Sequence, residues 1–179
     1  MAVKTFTSGE TLTAADTNTY LANSGLVYVT SATIGTSVSS VAVANAFNST
    51  FDNYKIVASG GTGNTAQAIA MILTGSTANY YQFLSYVNYA TAGQTLASVN
   101  NGANWSYVGE TSTNSTVINI DVINPNLAKY TYFNGSYTGT VAGTIGGYHG
   151  VATAYTGFTL SVAGNMTGGT ITVYGYRKA

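Results

Sequence analysis

From Leu26 onward, short runs rich in Val, Ile, Tyr, Phe and Thr alternate with breaks of Gly, Asn and Ser, which predicts consecutive β-strands. About ten such runs can be read. The clearest in the first half are LVYVTSAT from Leu26, VSSVAVA from Val38, YKIVAS from Tyr54, AIAMIL from Ala68 and YYQFLSYVNY from Tyr80. NWSYVGE from Asn104, STVINIDVI from Ser115, KYTYFNGSY from Lys129, FTLSV from Phe158 and TITVYGYR from Thr170 continue the series. In the last run Ile171, Val173 and Gly175 share one face and Thr172, Tyr174 and Tyr176 the other, the alternation of a strand buried on one side. Glycine and asparagine pairs at Gly60-Gly61, Gly63-Asn64, Asn101-Gly102, Gly146-Gly147 and Gly168-Gly169 are expected to make tight reversals. No helical period interrupts the strands, so the block from residue 26 to 179 is expected to be a jelly-roll-like antiparallel β-sandwich in an all-β chain.

Residues 1–25 read differently, as an arm ahead of the sandwich. Thr13 is a plausible N-cap, Asp16 completes an acidic capping box, and Gly25 offers a stop, which predicts one short helix. A helix of about ten residues is marginal alone, so it needs a surface to dock on. Its apolar residues, Leu12, Tyr20 and Leu21, together with Phe6, are the expected attachment contacts.

Charge changes the picture most: only 6% of residues are Asp, Glu, Lys or Arg, and five of each sign cancel. Ordinary soluble domains carry roughly a quarter. A surface with so little repulsion suits a subunit that packs against copies of itself, so a homo-oligomer is expected. The balance offers no footprint for phosphate backbones, which argues against nucleic acid as a partner. No run approaches the ~18 apolar residues of a membrane-spanning helix, so no membrane insertion is expected. The opening residues lack a secretory signal pattern, which points to synthesis in a cytoplasm. With no cysteine and a single histidine, His149, thiolate and zinc sites have no ligand set, and no cofactor or metal is expected.

Asp52, Glu110 and Asp121 are the three carboxylates inside the expected sandwich, and a catalytic pair among them is conceivable. Isolated acids on β proteins more often serve turns and surfaces. No nucleophile elbow appears, and GGTGN from Gly60 lacks the Lys-Ser/Thr ending of a phosphate loop. An enzyme is therefore not expected. Fifteen tyrosines are the more telling feature, suited to sheet packing, subunit interfaces and, for a minority, stacking on sugars. Trp105 and Tyr107, in a Gly/Asn-rich neighbourhood, are the candidate ligand contacts, although the core is the more natural place for the only tryptophan.

KTFTSGETLTAADTNTYLAN, GLVYV, FDNYKIV, NPNLAKYTYFNGSY and GGTITVYGYRK together resemble small virion structural proteins of tailed bacteriophages. The opening from Phe6 to Asn18 is similar to a phrase that precedes β-rich distal domains in tail-fibre and accessory proteins of that group. The resemblance implies an assembled, trimeric exterior subunit of the virion, built in the host cytoplasm and attached to other virion proteins through its arm. It also implies contact with a host-surface glycan, as a tail fibre or adhesin. A capsid decoration protein or a free lectin-like module would carry the same features.

Overall fold

The computed structural model describes residues 7–16 and 25–178. Among these, one helical turn, α1 (Ala14–Asp16), precedes twelve strands: β1 (Leu26–Thr33), β2 (Val38–Val43), β3 (Asn53–Gly63), β4 (Gln67–Leu73), β5 (Tyr80–Asn88), β6 (Gln94–Gly102), β7 (Trp105–Thr111), β8 (Thr116–Ile123), β9 (Thr131–Thr138), β10 (Val141–His149), β11 (Phe158–Thr167) and β12 (Thr170–Tyr176). Local chemistry starts α1 as expected. The Thr13 hydroxyl donates to Asp16 Oδ2 at 2.6 Å and accepts the Asp16 backbone N–H at 3.1 Å, while the Thr13 N–H reaches the same carboxylate at 3.2 Å. The predicted continuation of this helix through Tyr20 and Leu21 lies outside the described residues, as does Phe6.

Pairing is antiparallel throughout, and eight strands close two sheets. One runs β1-β12-β3-β8; the other runs β2-β11-β4-β7. That order is the two-Greek-key arrangement of a jelly roll, so the expected fold class holds. The β7–β8 pairing and a short β3–β11 pairing stitch the sheets together at their margins. The remaining strands form two hairpin insertions, β5/β6 between β4 and β7, and β9/β10 between β8 and β11. These insertions meet: β9 adds to β8, and β10 then pairs with both β9 and β5. The first sheet thus grows to β1-β12-β3-β8-β9-β10-β5-β6.

Alternation decides which side chains fill the sandwich. Tyr54, Ile56, Ile118, Ile120, Val122, Ile171 and Val173 point inward from one sheet, against Ile69, Met71, Leu73, Phe158 and Leu160 of the other. Burying each such side chain contributes about 1.5–3 kcal/mol. Tyr54 is fully buried because its hydroxyl is satisfied, donating to Asn48 O at 2.6 Å and accepting the Asn48 N–H at 2.7 Å. The predicted inward triplet Ile171, Val173 and Gly175 is present, and its third member is glycine because the Phe51 ring covers that position.

Three expectations about the chain's punctuation fail. Gly146-Gly147 makes no turn but lies within β10, and Gly60-Gly61 and Asn101-Gly102 lie within β3 and β6 beside register shifts. Gly60 (φ 76°) and Asn101 (φ 56°) take up the left-handed conformation of these bulges. Gly168-Gly169, with φ of 68° and 85°, does form the β11–β12 reversal. The strands β6 and β10 were not among the predicted runs.

Candidate functional site

In β5 the sequence Tyr80-Tyr81-Gln82-Phe83-Leu84 alternates across the sheet, so Tyr80, Gln82 and Leu84 are buried while Tyr81 and Phe83 face outward. Register does the rest. Tyr81 stands opposite Tyr148 of β10, and Tyr148 stands opposite Tyr132 of β9, which sets three tyrosines in one row across three strands. Tyr130, just before β9, joins them. The Tyr81 and Tyr148 rings stack with centroids 4.6 Å apart at 8°, and Tyr130 and Tyr132 each lie 6.1 Å from Tyr148. Phe83, Tyr130 and Tyr132 are exposed, and Tyr81 and Tyr148 are half-buried beneath them.

Glycine makes this surface concave. Phe83 stands opposite Gly146, where a Cβ would come within 2.9 Å of its ring. The ring therefore lies over bare backbone, beside a hollow of about 170 Å³ bounded by Tyr81, Gln82, Phe83, Gly146, Gly147 and Tyr148. No charged side chain lines it. Farther along the sheet, Asp121 accepts the Tyr176 hydroxyl at 2.5 Å and pairs with Lys55 at 3.5 Å. That hydrogen bond, first among the causes, pushes the Tyr176 phenol up to about 12. What results is a row of flat apolar faces edged by phenol hydroxyls, suited to the C–H face of a neutral ring-shaped ligand.

The two residues singled out by sequence part company. Trp105 is 0% exposed, packed edge-on to Tyr80 at 5.2 Å and tilted on Phe133 at 4.6 Å, with its indole N–H reaching Tyr148 O at 3.3 Å. Its position rules out direct ligand contact, and the reason is register: Trp105 opposes Met71, an inward position of β4. Tyr107 instead lines a crevice between the sandwich and its hairpin extension, together with Glu110. Leu12 of the arm is 50% exposed.

The carboxylates do not assemble a catalytic pair. Glu110 sits in the crevice, Asp121 on the outer sheet with Tyr176, and Asp52 at the surface with Lys178 at 2.8 Å. Among the described residues no three His, Asp or Glu side chains gather as a metal site. One pairing was invisible in the sequence. Ser76 Oγ lies 2.6 Å from His149 Nε2, although the two are 73 residues apart. The Tyr155 hydroxyl, not a carboxylate, faces His149 Nδ1 at 3.4 Å, and the imidazole is fully buried. This chain of polar groups ties the β4–β5 loop to β10.

Burial holds the His149 imidazole below its ordinary 6.5. The unfolded chain then binds the proton more readily than the folded one, so stability is complete above pH 6.5 and declines as pH falls through it. Since His149 is the only histidine, His149→Gln is expected to flatten the decline of Tm between about pH 7 and pH 5, where carboxylates stay ionised. Equal slopes in thermal melts of both proteins would contradict the assignment.

Comparison with protein-family models, with curated proteins and with solved structures finds no significant match to this chain.

Proposed function

We propose that this chain is a non-enzymatic structural subunit on the exterior of a tailed-bacteriophage virion, a tail-associated fibre or adhesin that presents its tyrosine row to a surface saccharide. The observation that carries this reading is the row itself: Tyr81, Tyr130, Tyr132 and Tyr148, with Phe83, held open on a sheet that is almost free of charge. Large exposed aromatic groups cost solubility in a free monomer unless they meet a partner. Here their hydroxyl edges match a polar, uncharged ligand.

Two further features support the assembled state. Among the described residues the outer strand β6 leaves one edge unpaired, and it carries Leu96 at 75% exposure, beside exposed Phe83 and Val87 of β5. An apolar sheet edge of this kind suits a neighbouring copy of the chain, in keeping with a trimer. The described residues of the arm, 7–15, are all exposed, which leaves Leu12 open to another virion protein.

Gold labelling of the chain in purified, intact particles tests the assignment. Label at the tail supports it. Label distributed over the head would make the chain a decoration protein instead, and absence from particles would leave a free lectin-like module.

A further inference from the structure

The crevice holding Tyr107 is a second site, distinct from the tyrosine row and independent of the virion reading. It lies where the edge of the four-stranded sheet meets the inner face of the extension, with a volume of about 210 Å³. Strands β4, β5, β7 and β9 and the β9–β10 turn each contribute to its lining.

Glu110 is the unusual member. Its side chain is only 5% exposed, and no Lys, Arg or His lines the crevice to balance it. A carboxylate taken out of water costs several kcal/mol unless donors or a cation compensate. One donor is within hydrogen-bond reach, and a phenol lies close by. The Thr140 N–H reaches Oε1 at 2.8 Å, and the Tyr137 hydroxyl faces the same carboxylate, with burial and that negative neighbour pushing its phenol well above the usual range. Tyr137 is thereby kept protonated. Gly139 belongs to the same arrangement, because a Cβ there would collide with the Glu110 carboxyl group.

An ionised carboxylate has room for about four hydrogen bonds, so capacity remains on Glu110. Tyr86 and Tyr107 place two more phenols near Tyr137, and neither hydroxyl is taken up by a hydrogen bond to a described residue. Gln67, by contrast, is spoken for: its amide accepts the Gly164 N–H at 2.5 Å and donates to Thr65 Oγ1 at 3.0 Å. The crevice therefore offers free acceptors around a carboxylate that has no cationic neighbour, with an apolar wall of Ala68, Leu84 and Val141 beside them. A primary ammonium has three donors, one positive charge and no acceptor, and the wall suits a short alkyl stem.

We propose that this crevice binds a primary alkylammonium group, with Glu110 as counter-ion, Tyr86 and Tyr107 as additional acceptors, and Leu84 and Val141 against the stem. An anion would meet unscreened repulsion. A neutral alcohol would leave the carboxylate uncompensated.

The test is a titration of the full chain with n-butylammonium chloride at constant ionic strength, followed by NMR of the tyrosine rings, with n-pentanol and sodium butyrate as neutral and anionic comparisons. A ligand this small is expected to saturate in the millimolar range. Butylammonium should bind at least tenfold more tightly than pentanol, and butyrate not at all. Glu110→Gln keeps an acceptor for the Thr140 N–H and should weaken butylammonium at least tenfold; Tyr107→Phe, which removes only a hydroxyl, should weaken it severalfold with unchanged Tm. Tyr148→Ala, in the outer row, should leave it unaffected. Equal binding of pentanol and butylammonium, or undiminished binding to Glu110→Gln at an unchanged Tm, would overturn the proposal. So would loss of binding on Tyr148→Ala alone, which would move the site to the outer face.

Discussion

Replacing Trp105 by alanine is expected to lower the unfolding free energy by about 3–5 kcal/mol, a large share of the roughly 5–15 kcal/mol a domain possesses. The magnitude follows from position as much as from size. Trp105 opens β7, the strand where the four-stranded sheet borders the extension, and its ring contacts Tyr80 of β5 and Phe133 of β9. Its indole N–H holds the Tyr148 carbonyl of β10. Three strands of the extension thus converge on one side chain of the sandwich, and alanine leaves a cavity walled by rings that cannot collapse into it. Urea melts measure the loss. Tyr89→Ala is the comparison, since Tyr89 is 64% exposed and its removal should change stability by no more than about 0.5 kcal/mol. A Trp105→Ala protein as stable as Tyr89→Ala would mean that the extension is not anchored through this residue.

The second large effect concerns binding. Tyr81→Ala with Tyr148→Ala removes both rings of the closest stack, 4.6 Å apart and nearly parallel, and opens the hollow beside Phe83. On an array of neutral glycans the wild-type chain is expected to bind, and the double variant to lose about 2 kcal/mol or more, roughly thirtyfold in affinity. Both rings lie on the outer face of the sheet, so the loss of Tm should be small beside that of Trp105→Ala. Glycan binding by the double variant equal to that of the wild type would remove the row from the proposed function.

How much of this was written locally in the chain differs between its parts. Strands buried on one side, such as β4, β8 and β12, declared themselves because each packs alternate residues into one core, a pattern complete within seven or eight positions. The Thr13–Asp16 cap was legible for the same reason, since all of its partners lie within one turn. The extension was not legible. In β6, Gln94–Gly102 carries Gln, Ala, Ser, Asn and Gly at most positions where a strand signal calls for β-branched or aromatic residues, and among the described residues it is held by pairing with β5 alone. In β10, Gly146 and Gly147 read as a reversal, yet at both of them, as at Gly143, the neighbouring strand or an overlying ring leaves no room for a side chain. Glycine there permits close approach rather than reversal.

The sites were harder still, because each is assembled from distant segments. Tyr81, Tyr132 and Tyr148 become a row only when two insertions separated by β7 and β8 pair in one register. Ser76 meets His149, and Glu110 meets Tyr137, for the same topological reason. The abundance of tyrosine was visible from the outset; which tyrosines face outward was decided by pairing across strands.

Competition for phage adsorption measures the central claim most directly. If the proposed function holds, purified wild-type chain added to susceptible bacteria before a phage whose virion contains it should occupy a surface saccharide and reduce adsorption in proportion to its concentration, whereas the Tyr81→Ala, Tyr148→Ala double variant should leave adsorption unchanged. Equal inhibition by both proteins, or none by the wild type at concentrations that saturate the glycan array, would contradict the claim that the tyrosine row is an adhesive surface.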